Sequence, residues 1–323
     1  MNIHLFKKLY QENLIDATAL EKMETANRNR LFSLHWEIKT ILYLGVLLLS
    51  GGLGILVYKN LDTIGHQIII VLLAAVSIAG FTYCYKQKAP FSYDKVESPN
   101  AFFDYALLLG CLTFVTFIGY LQFQYGLFGS RYGLATFVPM AVLFFSAYYF
   151  DHLGVLSLAI TNLAAWAGIT VSLRRILYAN DFSNHTLTYT ALLLGAGLYI
   201  AGILSEQKKI KPHFAFTYQN FGAHIFFIAA CAAIVVFENT YMLWFLLAAG
   251  AGALVIRHGF RLRSFYFVLI AVLYMYVALT ITIGCVLYRF ADIDAILLAL
   301  FYLIASATGI IILLIHLNKK IKS

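Results

Sequence analysis

A chain of 323 residues that is 62% hydrophobic and only 12% charged, with a mean hydropathy of +0.81, is not a soluble globular protein. Soluble domains average about 45–50% apolar and about 25% charged residues; no fold of this size has interior enough to hide the excess, so lipid must cover it. The net charge of +8 would suit nucleic acid only if the basic residues shared one surface. They fall instead in short groups between apolar runs, which excludes that reading.

The first 37 residues are polar and helical in pattern, with no cleavable signal peptide. Ile3, Phe6, Leu9 and Tyr10 share one helical face; Leu14 and Ile15 lead into Asp16, a good helix N-cap, and a second helix carries Leu20, Met23, Leu31 and Leu34 on one side. This predicts a cytoplasmic helical hairpin over 1–37. It is too small to bury a core alone, so it packs on the inner loops, on another copy or on a protein partner.

Residues 38–323 predict a transmembrane helical bundle, and the chain as a whole is all-α. A spanning helix needs about 20 predominantly apolar residues. Ten stretches meet that rule: 40–58, 64–85, 104–122, 132–150, 153–173, 187–204, 219–237, 241–256, 264–287 and 295–317. With the N-terminus inside, only Lys59, Arg131, Arg174, Arg175 and Arg289 fall in outer connections, and the other 18 of the 23 Lys and Arg fall in inner ones. That bias is what the positive-inside rule expects, and a missed span would scramble it. Both termini are therefore expected on the cytoplasmic side. Trp36, Tyr58, Tyr85, Tyr120, Tyr125, Tyr241 and Tyr288 sit near span ends, where amphipathic rings favour the interface. The loop lengths of the two halves do not correspond, so no inverted repeat is read.

The first span ends in LLLSGGLGILVYKNLDTIGH, residues 47–66. Ser50 and Gly54 form a small-x-x-x-small pair that lets another helix approach closely, as do Ala164–Gly168, Gly197–Ala201 and Ala248–Gly252. Asn60 tolerates the left-handed backbone that ends a helix, and Asp62 can cap the next one, so a tight outer turn explains both without chemistry. His66, one turn further on, is in reach of Asp62 at i, i+4; a hydrogen-bonded interfacial histidine is the simpler reading.

The pattern Leu5-Phe6…Leu9…Asn13-Leu14-Ile15-Asp16, followed by a glycine-bearing span and Asn60-Leu61-Asp62, resembles the bacterial polytopic membrane proteins grouped as domain of unknown function 2157. In that family the hairpin usually carries Gly-Leu-Ile and the first span ends in Asn-Trp; Asn13 and Leu61 stand at those positions here. The resemblance covers the hairpin and the first two spans. It implies a bacterial inner-membrane location and no particular activity.

Ionisable groups within lipid are the usual pointer to function. Asp104 is the one acid inside an expected span, at its cytoplasmic edge, where it reads as a helix cap. The mid-span polar candidates are Asn162 and His224, read as structural glue or as substrate contacts. Pro139 removes a backbone hydrogen bond and predicts a kink in the fourth span. Arg174 and Arg175, on the longest outer loop, form either a solvated face or a clamp for an anionic headgroup. Asp151 and His152 are adjacent in a short inner turn, and sequence neighbours rarely share a site.

The four cysteines are isolated, with neither C-x-x-C nor Cys/His ligand spacing, so no disulfide framework, metal site or cofactor is expected. The H-E-x-x-H and G-x-S-x-G hydrolase motifs, the Walker lysine loop and the dinucleotide G-x-G-x-x-G are missing. Three readings remain. The first is a permease-like or lipid-handling protein with membrane lipid as partner. The second is a non-catalytic scaffold or sensor acting through the hairpin. The third is an intramembrane transferase using the outer rim. Substrate and oligomeric state are not legible.

Overall fold

The computed structural model describes residues 35–59, 65–174, 185–288 and 293–322, together with positions 12, 15, 16 and 18. The hairpin expected over 1–37 falls almost entirely outside the described residues. From His35 onward, ten α-helices follow one another among the described residues: α1 (His35–Lys59), α2 (His66–Gln87), α3 (Ala101–Tyr125), α4 (Tyr132–Phe150), α5 (Leu153–Arg174), α6 (His185–Gln207), α7 (Ala215–Val236), α8 (Tyr241–Arg261), α9 (Phe265–Tyr288) and α10 (Ile293–Lys322). A 3-10 turn, Pro212–Phe214, opens α7. No strand occurs among the described residues. Each expected span coincides with one helix.

Among the described residues, nine helices are long and apolar enough to cross a membrane, and α1 adds the apolar stretch Thr40–Gly52. By contacts the chain divides into Met1–Thr63, which contains α1, and Ile64–Ser323. Within α1, Ser50 Oγ donates to the Leu47 carbonyl at 2.9 Å.

The second unit is built from sequential antiparallel neighbours. The helices α2 and α3, α4 and α5, α6 and α7, and α8 and α9 pack as pairs, and α7 also touches α5, α8 and α9. Between lipid-facing helices the hydrophobic effect adds little, so close backbone approach over small residues has to supply the packing. That is where the glycines count. A Cβ on Gly195 would lie 2.5 Å from Phe226 N, and one on Gly222 would lie 2.5 Å from Tyr199 N, so α6 and α7 meet backbone to backbone. In the same way a Cβ on Gly80 would lie 2.8 Å from the Ala106 carbonyl oxygen, and Ser77 Oγ donates across the α2–α3 seam to Gly110 O at 3.0 Å. Of the small-residue pairs expected from spacing, Ala248–Gly252 does seat a neighbour, with Met275 against Gly252. Gly197 has nothing within 4 Å.

Three buried clusters fill the unit. The largest joins Cys84, Phe103, Leu107, Leu143, Leu156 and Phe214 among its members. A second joins Leu192, Ile234, Ala248 and Ala278; a third joins Phe227, Val255 and Phe267. The free cysteines Cys84, Cys111 and Cys231 are buried as apolar packing residues. Leucines, isoleucines and phenylalanines such as Phe123, Leu193 and Phe301 point outward, as a lipid-covered surface requires.

Helix boundaries have local causes. Asn100 Oδ1 accepts from Phe103 N at 2.8 Å, so Asn100 caps α3 and the expected cap, Asp104, lies buried one turn inside. Gly126 ends α3 in the left-handed region, and Gln122 clamps the following turn by accepting from Phe128 N and donating to Gly129 O, both at 2.9 Å. Pro139 is buried within α4, which runs unbroken through it.

Candidate functional site

The connections after α2, α4 and α6 converge at one end of the second unit. Lys211 N donates to Tyr93 O at 2.8 Å, and Lys211 Nζ donates to Asp94 O at 3.3 Å. The same ammonium pairs with Asp151 Oδ2 at 3.0 Å, with the two side chains 1% and 2% exposed. Asp151 also accepts from Val96 N at 2.5 Å and bonds His213 Nε2 at 2.6 Å. Asp151 reaches these partners because it ends α4 in the left-handed conformation, φ 58°, which an Asp tolerates better than most residues.

Its neighbour His152 turns the other way. His152 Nδ1 accepts from Val155 N at 3.1 Å and so caps α5. An accepting Nδ1 leaves the ring proton on Nε2, which faces Asp104 Oδ1 at 3.6 Å, where Ser98 Oγ also donates at 2.5 Å. The adjacent acid and base thus serve two separate clusters. Lys88 adds a hydrogen bond to Tyr149 and lies over the Tyr149 ring, 3.7 Å from its centroid. Sequence reasoning counted Lys211 only as one of the basic residues of the inner connections. Its burial depends on two other loops and carries no local signal.

A second feature lies between α6, α7 and α8. A cleft of about 550 Å³ is lined by Gly195, Tyr199, Ile203, Phe226, Leu254 and His258, among others. That volume falls in the ligand-pocket range of about 300–1,000 Å³. The lining recurs every three or four residues along each helix, so it is three helical faces meeting. The missing side chains of Gly195 and Gly222 keep α6 and α7 close, while α8 stands off. Ile200 and Leu254, both exposed, form its lip on the lipid-facing side.

One end of the cleft is basic. The eighth span was expected to stop at 256, but α8 continues for more than a turn and brings Arg257, His258 and Arg261 onto its wall. Arg257 and Arg261 are four residues apart, hence neighbours on one helical face. Glu206, on α6, is close enough to His258 to act on it electrostatically, as is Arg261. Among the described residues five buried side-chain polar atoms lack a hydrogen-bond partner, and two of them, Tyr199 OH and His258 Nε2, belong to this lining. The two rings meet edge to face, with centroids 5.9 Å apart.

The residues singled out from sequence are distributed as follows. His66 Nδ1 and Tyr120 OH share a hydrogen bond of 2.6 Å between α2 and α3. His224 Nδ1 and Tyr274 OH share one of 2.9 Å between α7 and α9. Asn162 Nδ2 donates to Leu158 O of its own helix at 3.2 Å. The structure does not bring Asn162, His224 and His66 together, and none of them lines the cleft. Arg174 is the last residue of α5; Asn60, Asp62 and Arg175 lie outside the described residues. No group of three or more metal-ligating side chains occurs among the described residues.

A helical bundle whose elements are long enough to cross a bilayer, whose outer surface is apolar and whose polar groups gather at the helix ends is a polytopic α-helical membrane protein. Residues 7–156 match the family model of predicted membrane proteins designated DUF2157, the family suggested by the N-terminal motif, and the match extends through α4. No curated protein and no solved structure matches the chain.

Proposed function

We propose that this is a lipid-handling protein of the bacterial inner membrane, which holds a bilayer amphiphile in the cleft between α6, α7 and α8. The observation that carries the reading is the cleft's shape and polarity: an apolar slot opening sideways past Ile200 and Leu254, bordered at one end by two arginines. A polar solute would gain little from such walls, whereas an acyl chain gains about 25 cal/mol for each Å² of apolar surface it covers.

The arginine end is the cytoplasmic end in this reading, because the basic connections are expected there. Permeation through a path beside Asn162 and His224 is less well supported, since both residues bond within the bundle.

A phospholipid carrying a photoactivatable group on its acyl chain tests the proposal in reconstituted vesicles. Cross-links should concentrate on residues 195–203 and 251–261. Uniform labelling of all lipid-facing helices, with α10 marked as heavily as α6 and α8, would count against it.

A further inference from the structure

We propose that the cleft selects an anionic phospholipid from one leaflet, seating its phosphate between Arg257 and Arg261 and its ester region against Tyr199 and His258. The proposal rests on the lipid-handling reading and adds to it the headgroup class and the leaflet.

Length supplies the first argument. From Ala251 to Arg261 the wall of α8 rises about 15 Å at 1.5 Å per residue. That is half of a hydrocarbon core about 30 Å thick. The cleft therefore reaches from the helix end to roughly the bilayer midplane, which matches one acyl chain of one leaflet and not a transbilayer path.

Charge supplies the second. Arg257 and Arg261 have no ion pair among the described residues, and both are exposed. Guanidinium groups favour phosphate through paired hydrogen bonds, and adjacent arginines on one helical face can present several donors together. Glu206 brings one negative charge to this end against two arginines, which leaves a cationic surplus there. A zwitterionic lipid brings its own cation to that surplus; an anionic one does not.

The third argument is independent of the arginines. Tyr199 OH on α6 and His258 Nε2 on α8, both residues of the cleft lining, are buried without hydrogen-bond partners, a state that ordinarily costs about 1–3 kcal/mol per group. His258 lies between the two arginines in sequence, and its ring contacts that of Tyr199. Both residues line the cleft, so a turn of either ring toward it would bring its polar atom to the ester and glycerol oxygens that join a phosphate to its chains. An alkane alone would leave them unsatisfied.

Native mass spectrometry of the full chain, with dioleoyl phosphatidylglycerol or dioleoyl phosphatidylcholine added, decides the matter. The wild type should retain the anionic lipid about tenfold better, since charge-assisted bonds are worth roughly twice neutral ones. Arg257→Gln with Arg261→Gln should abolish the preference. Arg257→Lys with Arg261→Lys should keep part of it, and Lys208→Gln with Lys209→Gln, at the same end but outside the cleft, should leave it intact. Ala251→Phe should displace both lipids by filling the slot.

Equal retention of the two lipids, lowered equally by Ala251→Phe, would overturn the headgroup assignment and leave lipid handling standing. Retention untouched by Ala251→Phe would overturn the cleft as the lipid site and both readings with it. A preference lost equally in the Lys208/Lys209 variant would show general surface charge at work and overturn the proposed phosphate seat.

Discussion

Lys211 and Asp151, on loops 60 residues apart in sequence, form a 3.0 Å ion pair in which both side chains are almost completely buried. A pair of this kind is costly to assemble, because both charges leave water, and costlier to break, because the survivor stays buried. Here Asp151 has further partners in Val96 N and His213 Nε2, so its oxygens are satisfied. The pair links the segment after α2, the turn after α4 and the loop after α6.

Lys211→Met should therefore destabilise the protein by about 3–5 kcal/mol, the range for removing one member of a buried pair. The measurement is thermal unfolding in detergent. Asp151→Gly and Asp151→Asn separate two effects at the other member. Glycine accepts φ 58° and loses the charge, whereas asparagine tolerates the conformation and keeps a hydrogen-bonding side chain, so Asp151→Asn should be the milder change.

The same convergence predicts a labelling pattern. Single cysteines at Glu97 and Lys208 should react with a membrane-impermeant maleimide from one side of the membrane. Cysteines at Ser130 and Asn239 should react from the other, because each pair of connections is separated from the next by an odd number of helices. Lys320 lies 6.0 Å from the Phe260 ring centre, so a cysteine at Arg263 should share the side of the carboxyl end. Labelling of Glu97 and Lys208 from opposite sides would contradict the fold.

Gly222→Ala and Gly197→Ala should move stability in opposite directions. The first forces a methyl to within 2.5 Å of Tyr199 N and should cost about 1–3 kcal/mol, as overpacking does. The second adds a methyl where nothing lies within 4 Å and removes a helix-interior glycine, a gain of about 0.5–1 kcal/mol. Unfolding midpoints of the two variants check the sign directly.

Tyr274→Phe should cost about 0.6 kcal/mol, the average for hydrogen bonds between membrane helices, and no more than about 1.7 kcal/mol, because it removes the 2.9 Å bond from α9 to His224. Asn162→Leu should be close to neutral. Its donor is spent on the carbonyl of Leu158 in its own helix, whose backbone bond already satisfies that oxygen.

Pattern and structure agree where the signal is contiguous. Ten apolar stretches became ten helices, and the alternation of basic connections anticipated that the loops at 88–100, 151–152 and 208–214 would share an end. His66 was read as a hydrogen-bonded residue near a span end and does bond Tyr120. Spacing was a weaker guide to packing faces: Gly197–Ala201 looked as good as Ala248–Gly252, yet Gly195 and Gly222 make the α6–α7 approach. Which glycine faces a neighbour depends on helix rotation, a quantity set by the partner.

By itself the sequence determined where the ten apolar helices lie along the chain and how charge is segregated between them, because each is a sum over neighbouring residues that lipid and water act on separately. Only the tertiary structure decided that Lys211 is buried on Asp151 and that Arg257, His258 and Arg261 border an apolar slot with Tyr199. Those arrangements join residues from different helices and loops, and their free energy resides in distances that no one helix defines.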